Sequence, residues 1–138
     1  MRRTLVDTGP LVALFDGKDH DHHRVQVFLE DYRGQLVTTW LVVGEVHHLL
    51  DFSTSQQLAF LAWARRGGLQ IEDLDHSAWE ILHALTEKYR DRPMDLADAS
   101  LLVVAMATGI RDVLSLDLDF DIYRLPDRKR LRNLLAKI

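Results

Sequence analysis

The chain has 138 residues, of which 47% are hydrophobic, and its 21 acidic and 17 basic side chains give a net charge of −4. A chain of this length can bury about two thirds of its unfolded surface, so we predict one domain over residues 1–138. It contains no cysteine, which excludes disulfides and thiolate metal sites and leaves oxygen or imidazole as metal ligands.

Charge and hydropathy also limit the partners and the location. The net negative charge argues against nucleic-acid binding by bulk electrostatics, although a local basic patch would suffice. No segment approaches the ~18 apolar residues of a membrane span, and the amino-terminal residues lack a signal-peptide pattern. We therefore expect a cytoplasmic protein without a membrane partner.

Strand and helix patterns alternate along the chain. Short apolar runs predict strands over residues 3–7, 35–39, 69–74, 113–116 and 122–125. Amphipathic periodicity and capping residues predict helices over residues 10–15, 20–32, 40–50, 53–66, 77–89, 94–107 and 127–138. Such alternation predicts an α/β fold in which a mostly parallel sheet lies between two layers of helices.

The helix over residues 94–107 is the most informative stretch. It is apolar on nearly every face, yet it opens with two carboxylates, Asp95 and Asp98, which lie on the same side of the first turn. Asp95 is suited to cap the helix, and Gly109 is suited to end it. Asp98 has apolar neighbours, and a buried carboxylate is costly unless it is paired or bound to a metal.

Four acidic residues occupy equivalent places in the predicted fold. Asp7 follows the first strand, Glu45 lies in the helix after the second, Asp98 begins the helix before the fourth, and Asp117 follows the fourth. Strand ends and helix starts of a parallel sheet meet at its carboxyl edge, where ligands bind. Such crowded acids require protons or cations, and an all-oxygen site favours Mg²⁺ or Mn²⁺.

This pocket predicts metal-assisted phosphodiester hydrolysis, in which the cation activates water and orients the phosphate. Thr8 and Ser115 lie beside the two strand-end acids and are suited to donate hydrogen bonds to a carboxylate or a phosphate.

The acidic motifs together resemble the PIN domain of the VapC toxin type. The motifs that carry the resemblance are Val6-Asp7-Thr8, Glu45, Asp95-Leu96-Ala97-Asp98-Ala99 and Leu116-Asp117-Leu118-Asp119-Phe120. The resemblance spans essentially the whole chain. It implies a magnesium-dependent ribonuclease, the toxin of a toxin-antitoxin pair, with a five-stranded sheet ordered 3-2-1-4-5.

The same resemblance assigns roles to individual residues. Asp7, Glu45, Asp98 and Asp117 match the metal-binding and catalytic acids, with Asp95 and Asp119 as auxiliaries; it leaves open whether Asp117 or Asp119 is the fourth acid. The implied partners are RNA, a second copy of the chain and an antitoxin protein.

Two other functional classes also fit an α/β chain with acids at this edge. A receiver domain would need a phosphoacceptor Asp at the end of a central third strand and a later Lys, and this chain has neither at those places. A catalytically idle PIN scaffold that only binds a protein or RNA remains the alternative. Cleavage of a generic RNA that stops when a chelator is added separates the two classes.

Several other features have simpler interpretations. The histidines of the segment 20–23 lie at a helix start and are interpreted as solvated. Trp40, Trp63 and Trp79 are interpreted as packing or dimer anchors rather than base-stacking platforms. The predicted terminal helix carries a basic set that either faces RNA or an acidic antitoxin segment, or is only solvated: Arg124, Arg128, Lys129, Arg130, Arg132 and Lys137.

Overall fold

The structure is a computed structural model that describes residues 1–92 and 94–135. The strands in these residues are β1 (Arg3–Val6), β2 (Gln35–Thr38), β3 (Gln70–Ile71), β4 (Asp112–Leu114) and β5 (Arg132–Asn133). The α-helices are α1 (Thr8–Phe15), α2 (His22–Asp31), α3 (Trp40–Leu49), α4 (Thr54–Trp63), α5 (Ala78–Lys88) and α6 (Leu96–Thr108). A π-helical turn (Ala64–Gly68) follows α4, and a 3-10 turn (Asp119–Asp121) follows β4.

The five strands form one parallel sheet in the order β3-β2-β1-β4-β5. The central strand β1 pairs with β2 through Leu5 and Val37 and with β4 through Val6 and Leu114. This topology confirms the predicted α/β fold and the strand order that the PIN resemblance implied. Because the sheet is parallel, the carboxyl ends of all five strands lie at the same edge.

Helix α6 is the most buried helix of the core. Every residue from position 97 to position 105 is buried, as expected for a helix that is apolar on all faces. Asp95 caps its amino end by accepting a hydrogen bond from the Asp98 N–H at 2.8 Å, and Gly109 ends it in the left-handed conformation with φ of 81°. Both predicted helix signals are confirmed.

The end of the chain differs from the prediction. The segment 122–125 is not a strand, and the residues from 127 to 135 do not form a helix: the fifth strand is instead β5 (Arg132–Asn133). Backbone hydrogen bonds from Arg132 to Arg111 and from Leu134 to Val113 fix β5 against β4. The last part of the predicted helix, including Lys137 of the basic set, lies outside the described residues.

A tight turn separates the two segments. Arg128 adopts a positive φ of 68°, and the Leu125 N–H donates to the Lys129 carbonyl at 2.9 Å. Tyr123 and Leu125 are both buried, so their alternation imitates a strand although the backbone turns there. The basic residues therefore do not share one helix face.

In the described part of the chain, no helix combines the length and apolar character that crossing a membrane requires.

Candidate metal centre

The centre begins where β1 and β4 end side by side. The Asp7 N–H donates to the Leu114 carbonyl at 3.0 Å, which places the next residue after each strand at the carboxyl edge. Asp7 caps α1, because its Oδ1 accepts the Thr8 N–H at 2.8 Å. Its Oδ2 accepts the Ser115 hydroxyl at 3.1 Å. Asp7 is only 4% exposed, so both its oxygens are held by protein donors in a dry environment.

Asp98 enters the same place from the first turn of α6. It is 5% exposed and lies close enough to the Asp7 carboxyl for that charge to raise the pKa of Asp98. Tyr123 donates its hydroxyl to Asp98 Oδ2 at 3.2 Å. In the described residues no Lys, Arg or His forms an ion pair with Asp98 or Asp7. The two buried carboxyls are therefore close together without a countercharge from the protein.

Asp117 and Asp119 complete the cluster from the segment after β4. One carboxylate oxygen from each of Asp98, Asp117 and Asp119 lies within 4.8 Å of the other two. The three residues are respectively buried, exposed and half-buried, so the cluster opens to solvent on one side. Hard oxygen ligands at such spacing fit Mg²⁺ or Mn²⁺, which keep several waters and bind through a few carboxylates.

The crowding changes the acidity of three aspartates. Burial raises the pKa of Asp98 well above its usual range, and the charges of Asp7, Asp95 and Asp117 raise it further. Burial also raises the pKa of Asp7, against the opposing hydrogen bond from Thr8. Loss of water raises the pKa of Asp117. Several raised carboxyl pKa values in one cluster make these residues candidates for a functional site.

The other predicted residues take different places. Glu45 is half-buried in the second turn of α3 and is not a member of the close group of three carboxylates. Asp95 is the α6 cap. Asp119 pairs with the Arg92 guanidinium at 3.1 Å, which partly neutralises it. Thr8 is 6% exposed, and its hydroxyl has no hydrogen-bond partner among the described residues, so it is available to a ligand.

Three residues of the centre were not predicted. Tyr123 holds Asp98, and Arg92 holds Asp119. Asn133 on β5 holds Ser115 on both sides: its Oδ1 accepts the Ser115 N–H at 3.2 Å, and its Nδ2 donates to the Ser115 carbonyl at 3.0 Å. Each lies far along the chain from the residue it contacts or in a segment whose structure was wrongly predicted. No local pattern in the sequence could have identified them.

The histidines of the segment 20–23 do not join the carboxylate group. His22 Nδ1 instead hydrogen-bonds the Ala13 carbonyl at 2.7 Å, which ties α2 to α1.

Comparison with known proteins gives a family and a fold. The PIN domain family matches residues 4–125. Ribonuclease VapC26 of Mycobacterium tuberculosis is 28% identical over 115 residues, which are 82% of this chain and 85% of that protein. Its similarity bears out the VapC-type resemblance.

Two solved structures share the fold. Mycobacterium tuberculosis VapC20, described as a sarcin-ricin loop cleaving toxin, superposes with a TM-score of 0.78 at 21% identity, over 86% of this chain and 93% of that one. A toxin-antitoxin complex from Klebsiella pneumoniae gives a TM-score of 0.66 at 20% identity, over 95% of this chain and 99% of that one.

Proposed function

Because this chain belongs to the PIN domain family, we propose that it is a metal-dependent endoribonuclease that hydrolyses RNA phosphodiester bonds, and that it is the toxin of a toxin-antitoxin pair. The observation that carries the proposal is the group of three carboxylate oxygens within 4.8 Å at the carboxyl edge of the sheet. The similarity to ribonuclease VapC26 supports it. In this proposal, residues 1–138 form a single nuclease domain that acts in the cytoplasm.

The cofactor in this proposal is Mg²⁺ or Mn²⁺. Asp7, Glu45 and Asp98 would hold it together with Asp117 as the fourth acid, and Asp119 would be an auxiliary. A divalent cation supplies activation of water and stabilisation of negative charge on the phosphate. Without a cation, the negative charge of the cluster repels an RNA phosphate.

The protein side chains position these groups. Ser115 and the Thr8 N–H fix both oxygens of Asp7. The buried Thr8 hydroxyl offers one donor and two acceptor positions to a phosphate or to water.

The protein partners are a second copy of the chain and an antitoxin. Support comes from large apolar side chains that α3 and α4 leave in solvent: Trp40 is 64% exposed and Leu58 is 61% exposed. By contrast, Trp63 packs against Phe15, with ring centroids 5.4 Å apart. Light scattering of the purified chain tests the dimer, and a monomeric mass throughout the micromolar range would contradict it.

Cleavage of a single-stranded RNA tests the nuclease. The purified chain should cut it with Mg²⁺ or Mn²⁺, and EDTA should stop the reaction. Asp98→Asn keeps the size of the side chain and one acceptor oxygen but removes its ability to ionise, and it should abolish cleavage. Asp31→Asn is the matched control, because Asp31 is an exposed acid on α2, and it should cut like the wild type.

Two outcomes would overturn the nuclease proposal. Full activity of Asp98→Asn would show that the acidic cluster is not the active site. Binding of RNA or of a protein partner without cleavage under any divalent cation would favour the idle-scaffold alternative.

A further inference from the structure

Asp98 has a neutral hydrogen-bond donor, the Tyr123 hydroxyl, among the acidic groups around it. The charged groups that act on it are the carboxylates of Asp7, Asp95 and Asp117. The Tyr123 hydroxyl is a neutral donor, and it bonds Asp98 Oδ2 at 3.2 Å. A carboxylate rotates readily about its last torsion, so a donor on one oxygen decides which way the group faces.

The tyrosine ring is held by contacts that do not involve its hydroxyl. Tyr123 is 2% exposed, and its ring meets the Phe120 ring edge-on at 5.3 Å and the Tyr89 ring at 5.1 Å. The Tyr89 hydroxyl accepts the Arg124 N–H at 2.8 Å, which fixes the backbone next to Tyr123. A phenylalanine at position 123 would make the same ring contacts.

The hydroxyl therefore has one partner in the described residues, and that partner is Asp98. Packing alone does not account for the oxygen atom, because a buried hydroxyl costs free energy unless it is hydrogen-bonded. Groups that hydrogen-bond a metal ligand orient it, and removing them typically lowers metal affinity by about 10- to 100-fold.

We propose that Tyr123 is a positioning residue of the metal centre, whose hydroxyl holds the Asp98 carboxylate in the orientation that binds a divalent cation. This inference rests on the proposed function, since it assumes that Asp98 is a metal ligand. Tyr123 itself touches neither the cation nor the RNA in this proposal.

The test is a Mn²⁺ titration of the purified full chain, followed by the electron paramagnetic resonance signal of free Mn²⁺. Tyr123→Phe removes the hydroxyl that bonds Asp98. Tyr89→Phe is the matched control, because it removes a hydroxyl from the same aromatic cluster that bonds a backbone N–H instead. Asp98→Asn reports the loss of the ligand.

We expect Tyr123→Phe to weaken Mn²⁺ binding about 10- to 100-fold and Tyr89→Phe to change it less than about 3-fold. Excess Mn²⁺ should restore most of the cleavage rate of Tyr123→Phe, because its ligands are all present. Circular dichroism checks that both variants fold; if Tyr123→Phe does not, Tyr123→Met, whose flexible apolar side chain fills irregular core space and also lacks a donor, replaces it in the titration.

Three results have distinct meanings. Wild-type Mn²⁺ affinity in Tyr123→Phe would overturn the inference while leaving the proposed function intact. Equal weakening in Tyr89→Phe would also overturn it, because the effect would then belong to the packing and backbone around Tyr123 and not to the Tyr123 hydroxyl. Absence of Mn²⁺ binding in the wild type would overturn the metal centre itself.

Discussion

Aspartates at the two edges of the sheet have pKa values shifted in opposite directions. At the amino end of β4, Asp112 accepts hydrogen bonds from Arg2 at 3.1 Å and from Arg132 at 2.8 Å. Partial burial opposes ionisation of Asp112, but the two guanidiniums outweigh it, and the pKa is lowered. At the carboxyl edge, Asp7 and Asp98 are more deeply buried, and burial raises both pKa values.

The difference lies in the source of the countercharge. Arg2 and Arg132 neutralise Asp112, so this aspartate needs no cation from outside the protein. The chain supplies no cation to Asp98 among the described residues, and the free energy of keeping that carboxylate ionised must come from outside. An uncompensated buried acid, rather than a large number of acids, identifies the site.

Asp117 and Asp119 test this comparison within the site itself. Asp119 resembles Asp112, because Arg92 pairs with it, whereas Asp117 lies close enough to Asp7 and Asp98 to raise their pKa values. We expect Asp117→Asn to lower the RNA cleavage rate by more than about 100-fold and Asp119→Asn by about 10-fold, the lower limit for a residue that only orients a ligand. Equal losses in the two variants would mean that both are ligands.

A divalent cation should stabilise the folded protein through Asp98 at the carboxyl edge of the sheet and not through Asp112 at the amino edge. A cation at a hundredfold excess over its Kd should raise the free energy of unfolding of the wild type by about 2.7 kcal/mol. Asp112→Asn should show the same gain, and Asp98→Asn should show little of it. Urea unfolding with and without Mg²⁺ measures the change in the free energy of unfolding of each variant. No change in the wild type on addition of Mg²⁺ would contradict the metal centre.

The pH dependence without metal should reveal the uncompensated charge. The pKa of Asp98 is raised in the folded state, whereas an unfolded aspartate titrates near 4. The contribution of Asp98 to the free energy of unfolding is therefore most favourable below about pH 4, where the side chain is protonated in both states. This contribution is lost as the pH rises through the raised folded-state pKa. In EDTA, Asp98→Asn should be more stable than the wild type at pH 8, by a margin that shrinks at pH 5; a margin independent of pH would exclude a raised pKa for Asp98 in the folded state.

The smallest effect is expected at the compensated edge. Asp112→Asn should lower the free energy of unfolding by about 1 kcal/mol, because Arg2 and Arg132 are 45% and 64% exposed and solvent screens both pairs. RNA cleavage should be unchanged. Since the pKa of Asp112 is lowered, this loss should be present at neutral pH and vanish as the pH falls through the folded-state value. A destabilisation that persists in acid would show that Asp112 acts through packing.

The sequence was sufficient for the elements whose signals are local. The cap at Asp95, the stop at Gly109 and the apolar faces of α6 all lie within one segment, and the structure has each of them. Asp98 was identifiable because a carboxylate in an apolar helix requires an explanation. The strand order followed from the family resemblance rather than from the patterns themselves.

The end of the chain could not be predicted in this way. The two residues of β5 are a strand only because β4 provides hydrogen-bond partners about twenty residues earlier in the chain. The alternation of buried Tyr123 and Leu125 resembles a strand, but it arises from side chains that fill the core from a turn. Glu45 stays a prediction, because it lies on α3 and is not a member of the close group of three carboxylates.

Crystallographic anomalous scattering from Mn²⁺ tests the central claim most directly, namely that the carboxyl edge lacks a countercharge that a divalent cation supplies. Crystals of the wild type grown with Mn²⁺ should show an anomalous peak within coordination distance of the carboxylate oxygens of Asp98 and Asp117. No peak should lie beside Asp112. The contradicting result is a map in which Mn²⁺ is absent from this cluster and the Arg92 guanidinium lies against Asp98 instead, because the protein would then supply its own cation at both edges.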